Sequence, residues 1–218
     1  MSKVTVFGAG AWGSTMAQVL SDAGNEVLLW GRSAEVIAEI NSAHTNKKYL
    51  QQHILPDAIT ASTDLAEAFK FSNIYILAIP AQQLRSTLVE WKGQFSNDCT
   101  IVSTLKGIEI STQMRMTEVI EDVLGPHRVA IITGPNLADE LVLRQPAGAV
   151  VAAPTMELAE QIRDLFRTPY YRVYTSIDVM GCELSGAIKS VIALAVGISI
   201  GMGSVSYTHL TLPTNREV

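Results

Sequence analysis

The chain has 218 residues, 48% of them hydrophobic, and a formal net charge of −5. That length suits one α/β domain plus the start of another, and the mild acidity argues against the basic face that nucleic acid or an anionic membrane surface would select. The only cysteines, Cys99 and Cys182, lack a C-x-x-C spacing, which sets aside a disulfide framework and a thiolate metal site and points to a reducing compartment.

Met1-Ser2-Lys3 passes straight into a strand-like run, Val4-Thr5-Val6-Phe7, leaving no room for a signal peptide. A helix is predicted from Ala11 to Ala23, ending before Gly24, then a strand over Glu26–Trp30 and a helix from Ser33, its N-cap, to Ile40. Further strands are expected at Asn73–Ile79, stopped by Pro80, and at Thr100–Leu105, Arg128–Thr133, Gly148–Ala152 and Tyr171–Thr175. Met116, Val119, Ile120 and Val123 mark one helix face, and Leu158, Ile162, Leu165 and Phe166 another. Strands alternating with helices predict a Rossmann-type, mostly parallel sheet with helices on both faces, over residues 1–180. Near Asp178 the pattern becomes one long helix, Cys182 to Met202, apolar on most faces. It reads as the first helix (181–203) of a truncated all-α domain whose packing partners are missing. Its longest apolar stretch, Val191 to Met202, is 12 residues with glycine and serine interruptions, short of the ~20 that a membrane span needs, so a cytoplasmic protein without a membrane span is expected. Residues 204–218 continue neither pattern and resemble a translated sequencing adapter, so they are read as a non-native tail.

Gly8-Ala9-Gly10-Ala11-Trp12-Gly13 falls at the first strand–helix junction. There the first glycine allows a tight turn, the second lets backbone approach a pyrophosphate, and the third allows close helix–strand contact. The helix N-terminus adds free N–H groups for the anion. A nicotinamide dinucleotide is therefore the expected cofactor. An NAD-selective site usually closes its second strand with a carboxylate for the ribose 2′-hydroxyl. Here the strand ends Leu29-Trp30-Gly31-Arg32, and Arg32 suits a 2′-phosphate. NADP(H) is the expected preference, with NAD(H) second.

Lys106 follows the strand ending at Leu105, and Gly134-Pro135-Asn136 follows the strand ending at Thr133. Both lie where open α/β sheets bind ligands. Lys189 is the only charge between Leu184 and Met202; it either snorkels to solvent or faces a cleft. His44, His53 and His127 are isolated, Glu118, Glu121 and Asp122 read as a solvated face, and Trp91, Tyr170 and Tyr171 read as packing residues.

Five strings stand in one order: Gly-Ala-Gly-Ala-Trp-Gly-Ser (8–14), Leu-Trp-Gly-Arg (29–32), Thr-Leu-Lys-Gly-Ile-Glu (104–109), Gly-Pro-Asn-Leu-Ala (134–138) and Gly-Ala-Ile-Lys-Ser-Val-Ile-Ala (186–193). Together they resemble the bacterial NAD(P)-dependent glycerol-3-phosphate dehydrogenases, over residues 3–203. The resemblance implies interconversion of sn-glycerol 3-phosphate and dihydroxyacetone phosphate, which supplies glycerol phosphate for phospholipids. It implies that Lys189 is the proton acceptor when the alcohol is oxidised and that Lys106 touches both substrate and nicotinamide. Gly134 and Asn136 become substrate contacts, and Ala11, Trp12, Arg32 and Ala138 cofactor contacts beside the turn glycines Gly8, Gly10 and Gly13. No metal is implied, and a homodimer is allowed for the full-length parent. This chain departs from the family's pattern at Ser190, where Asn is usual, and at Asp139, where Lys is usual. The resemblance also implies a missing second half of the helical domain, with the family's Asp and Arg-Asn pair, so the chain alone is expected to be inactive. Two alternatives are a non-catalytic NADP(H)-binding module and a related two-domain dehydrogenase for another small hydroxy acid.

Overall fold

A computed structural model describes residues 1–203; the proposed tail lies outside the described residues. The strands are β1 (Lys3–Phe7), β2 (Glu26–Trp30), β3 (Ile59–Ser62), β4 (Ile74–Leu77), β5 (Thr100–Ser103), β6 (Arg128–Thr133), β7 (Ala147–Ala152) and β8 (Tyr171–Ser176). The helices are α1 (Ala11–Asp22), α2 (Ala34–Ala43), α3 (Lys47–Leu50), α4 (Leu65–Phe71), α5 (Leu84–Trp91), α6 (Met116–Leu124), α7 (Ala138–Val142), α8 (Met156–Leu165) and α9 (Val179–Gly201).

The strands form one sheet in the order β3-β2-β1-β4-β5-β6-β7-β8. Every described pairing is parallel except β6 with β7, where Ile132 faces Val151. Strand order reverses between β1 and β4, whose residues Thr5–Phe7 pair with Tyr75–Leu77. That reversal opens a crevice beyond the carboxyl ends of the two strands.

The apolar runs are continuous because both sheet faces are covered. Val4, Val6, Val27 and Leu29 pack with Met16 and Leu20 of α1 on one face. Phe7, Leu28, Trp30 and Leu77 pack with α4, α5 and α6 on the other. At that face Phe7 meets Phe69 at 4.8 Å and Trp91 at 4.9 Å between ring centroids. Ser33 caps α2 as expected, its hydroxyl accepting from Val36 N–H.

Five elements escape the hydrophobic pattern: β3, α3, α4, α5 and α7. Edge strand β3 buries only Ile59 and Ala61, which is too short an alternation to stand out. Helices α3, α4 and α7 have 4, 7 and 5 residues, so none spans enough turns to display a helical period. The eight residues of α5 carry their buried face on Leu84, Leu88 and Trp91 alone. Asp64 opens α4 by accepting from the N–H groups of Ala66 and Glu67.

The long helix starts earlier than its apolar run suggests, because Asp178 caps it through Gly181 N–H at 2.8 Å. Its 23 residues, with a mean hydropathy of 1.8 over an 18-residue window, give it the length and composition of a membrane-crossing helix, which the count of its apolar stretch alone did not show. The helix nevertheless docks its first turns on β6 and β7, with Glu183 buried. Further along, Val191, Leu194 and Ile200 are exposed.

Candidate active site

The phosphate turn is built by close contact. Gly8 has φ +121, and a β-carbon there would strike the Ala78 carbonyl. A β-carbon on Gly13 would strike the Gly8 carbonyl. Gly10, by contrast, has nothing within 4 Å of where its β-carbon would stand, and it precedes α1 without a side-chain cap. The open backbone and uncapped first turn of α1 leave N–H groups free for an anion. A residue that sequence reading missed holds this turn: buried Asn46 donates from Nδ2 to the Ala9 carbonyl at 3.1 Å and to Ser14 Oγ at 2.9 Å.

Beyond the turn lies a cleft of about 940 Å³, lined among others by Gly8, Gly10, Ala11, Trp12, Arg32 and Lys106. Gly13 sits behind the turn, buried. Arg32 is exposed at the carboxyl end of β2, with no ion pair among the described residues. The indole Nε1 of Trp12 is buried without a hydrogen-bond partner among the described residues. The open Gly10 backbone, the uncapped helix end and a free guanidinium together fit a dinucleotide phosphate group.

At the far end of the cleft Lys106 donates from Nζ to the Gly134 carbonyl at 2.8 Å and lies 5.7 Å from the Trp12 ring centroid. Asn136 Nδ2 donates to the Tyr171 hydroxyl at 3.2 Å, so Tyr171 is more than a packing residue. Its phenol is pushed up by burial, so it stays neutral at this bond. Lys106, although open to the cleft, is held below the ordinary lysine value, first by burial of its ammonium and then by the charge of Lys189. Lys189 itself is exposed. Ala138 starts α7, outside the cleft lining, and Ser190 and Asp139 are exposed.

The loop after Lys106 is held from α5. Arg85 Nε donates to both oxygens of buried Glu109 at 3.0 Å, and Gln82 bonds Ile108 and Ile110. Asp122, expected to be solvated, also pairs with Arg85, and Glu118 pairs with Arg115 at 2.7 Å. His53 is not isolated either: its Nε2 shares a hydrogen bond of 2.7 Å with Gln18 Oε1.

Residues 3–159 match the family model described as NAD-dependent glycerol-3-phosphate dehydrogenase N-terminus. The chain belongs to that family. A glycerol-3-phosphate dehydrogenase [NAD(P)+] of Streptomyces avermitilis is 48% identical over 203 residues, which is 92% of this chain and 60% of that protein. The chain thus spans about 60% of the length of this curated relative. Among solved structures, a glycerol-3-phosphate dehydrogenase of Coxiella burnetii matches with a TM-score of 0.85 at 26% identity, covering 94% of this chain and 63% of that one. One of Saccharomyces cerevisiae matches with a TM-score of 0.85 at 28% identity, covering 94% and 64%.

Proposed function

We propose that this chain is the nucleotide-binding part of an enzyme that moves a hydride between NAD(P)H and dihydroxyacetone phosphate or sn-glycerol 3-phosphate. One arrangement supports the reading: Lys106, at the end of the dinucleotide cleft, bonds the Gly134 carbonyl, and the helix that bears Lys189 runs against its stem at Gly186. A protein that only bound nucleotide would have no use for a second lysine on the helix packed against Lys106.

The phosphate turn binds the pyrophosphate with backbone N–H groups, and Arg32 takes a 2′-phosphate, giving the preference for NADP(H) over NAD(H). The nicotinamide, when bound, supplies or takes the hydride. Gly134 and Asn136 hold the substrate beside Lys106, whose ammonium stabilises negative charge growing on the substrate oxygen. Lys189 accepts the hydroxyl proton during oxidation and returns it during reduction. The setting is the cytoplasm, consistent with two free cysteines, and the product serves phospholipid synthesis.

The test joins this chain to the C-terminal remainder of the Streptomyces avermitilis relative and follows nicotinamide absorbance with dihydroxyacetone phosphate. Substrate-dependent oxidation of NADPH is expected, and Lys189→Ala should lower kcat roughly 100- to 10,000-fold, the range for general acid–base groups. Unimpaired turnover by Lys189→Ala would contradict the assigned role.

A further inference from the structure

Lys106 and Lys189 stand on different elements, and neither element's local backbone fixes the spacing of their ammonium groups. A buried contact elsewhere does. Glu183, 9% exposed, accepts from Thr117 N–H at 3.0 Å through Oε1. Its Oε2 accepts from the Thr117 hydroxyl at 2.6 Å and from Arg115 Nη1 at 2.8 Å. Thr117 N–H belongs to the first turn of α6, whose donors have no intrahelical partner, so a carboxylate of α9 caps α6 from outside. Arg115 also closes the loop that begins at Lys106. Ile108 and Arg115 form an antiparallel bridge, and Glu109 N–H donates to the Met114 carbonyl at 2.9 Å.

A second point of contact lies three residues along α9. A β-carbon on Gly186 would stand 2.8 Å from Thr133 Oγ1 and 3.8 Å from Lys106 Cγ, so the helix backbone lies against β6 and the Lys106 stem. Lys189 follows three residues later, about 9 Å along the helix axis from Glu183. Burying an ion pair adds little net stability over apolar packing, yet it holds two elements in one register.

We propose that Glu183 is a positioning residue: through Arg115 and Thr117 it locks α9 to the lysine-bearing loop and so sets the distance between the ammonium groups of Lys106 and Lys189. This deepens the functional reading and rests on its pairing of the lysines. Its readout is the ionisation of Lys106, which needs neither substrate nor turnover, so the two can fail separately.

The experiment uses residues 1–218 with lysines reductively ¹³C-methylated, Lys106 assigned through Lys106→Arg, and its pKa followed by NMR. Lys189→Met should raise the Lys106 pKa, because a repelling charge is gone. Glu183→Gln should raise it in the same direction, and should add nothing in the Lys189→Met background. Glu183→Asp should recover part of the parent value. Gly186→Ala, which favours helix while pushing α9 off Thr133, provides a second route to the same rise if Glu183→Gln folds poorly by circular dichroism. An unchanged Lys106 pKa in both Glu183→Gln and Gly186→Ala would overturn the proposal. So would an unchanged value in Lys189→Met, since no coupled pair would then exist to be positioned.

Discussion

His53 shows how one side chain carries a pH signature that its isolation in the sequence conceals. Burial, and then the nearby Arg144 charge, hold its pKa below the ordinary value of 6.5, while Asp22 pulls the other way. The unfolded chain therefore binds a proton before the folded one does, and stability from this site is intact above pH 6.5 and lost as pH falls through the folded value. Denaturant unfolding at neutral and mildly acidic pH should show a shallower acid loss in His53→Gln than in the parent. A steeper loss in the variant would reverse the sign. The charges that act on it, Asp22 of α1 and Arg144 of the loop after α7, are far away in the chain, so no spacing rule reaches them. The same holds for Glu109: it stood in view within Thr-Leu-Lys-Gly-Ile-Glu, but its anchoring partner Arg85 is 24 positions away.

Elements whose pattern is self-contained could be read directly. β1 and the glycine turn, α1 and the Ser33 cap of α2 were legible because alternation, glycine spacing and capping are local. The short helix α3 was not, because its role is tertiary: Asn46, just before it, reaches back to the phosphate turn. Asn46→Ala removes both bonds and leaves the Ala9 carbonyl without that donor, which should cost about 1–3 kcal/mol in chemical denaturation. It should also weaken nucleotide binding, because the turn is no longer held. Unchanged stability together with unchanged binding would show that the turn stands without its tether. Helix α9 was legible as apolar and as lysine-bearing, while the burial of Glu183 depended on α6 and was invisible from its own sequence.

For the whole molecule, dinucleotide binding and turnover are expected to separate. The cations lining the cleft are Arg32 and Lys106, Lys189 is open to solvent, and the later turns of α9 expose Leu194 and Ile200. Positioning a substrate against a cofactor can carry ~7–11 kcal/mol of a barrier. Residues 1–218 should thus bind nucleotide yet show no reduction of dihydroxyacetone phosphate until completed with a relative's C-terminal remainder. Removing residues 204–218 should leave nucleotide affinity as it was; a large loss would assign that segment a role. The most direct measurement is a calorimetric titration of NADPH and NADH into residues 1–218 and into Arg32→Asp. NADPH should bind the parent more tightly, and the order should reverse in the variant, as a carboxylate repels the 2′-phosphate and accepts the 2′-hydroxyl. Failure of either nucleotide to bind the parent chain, or equal affinities in both proteins, would contradict the assignment of this cleft.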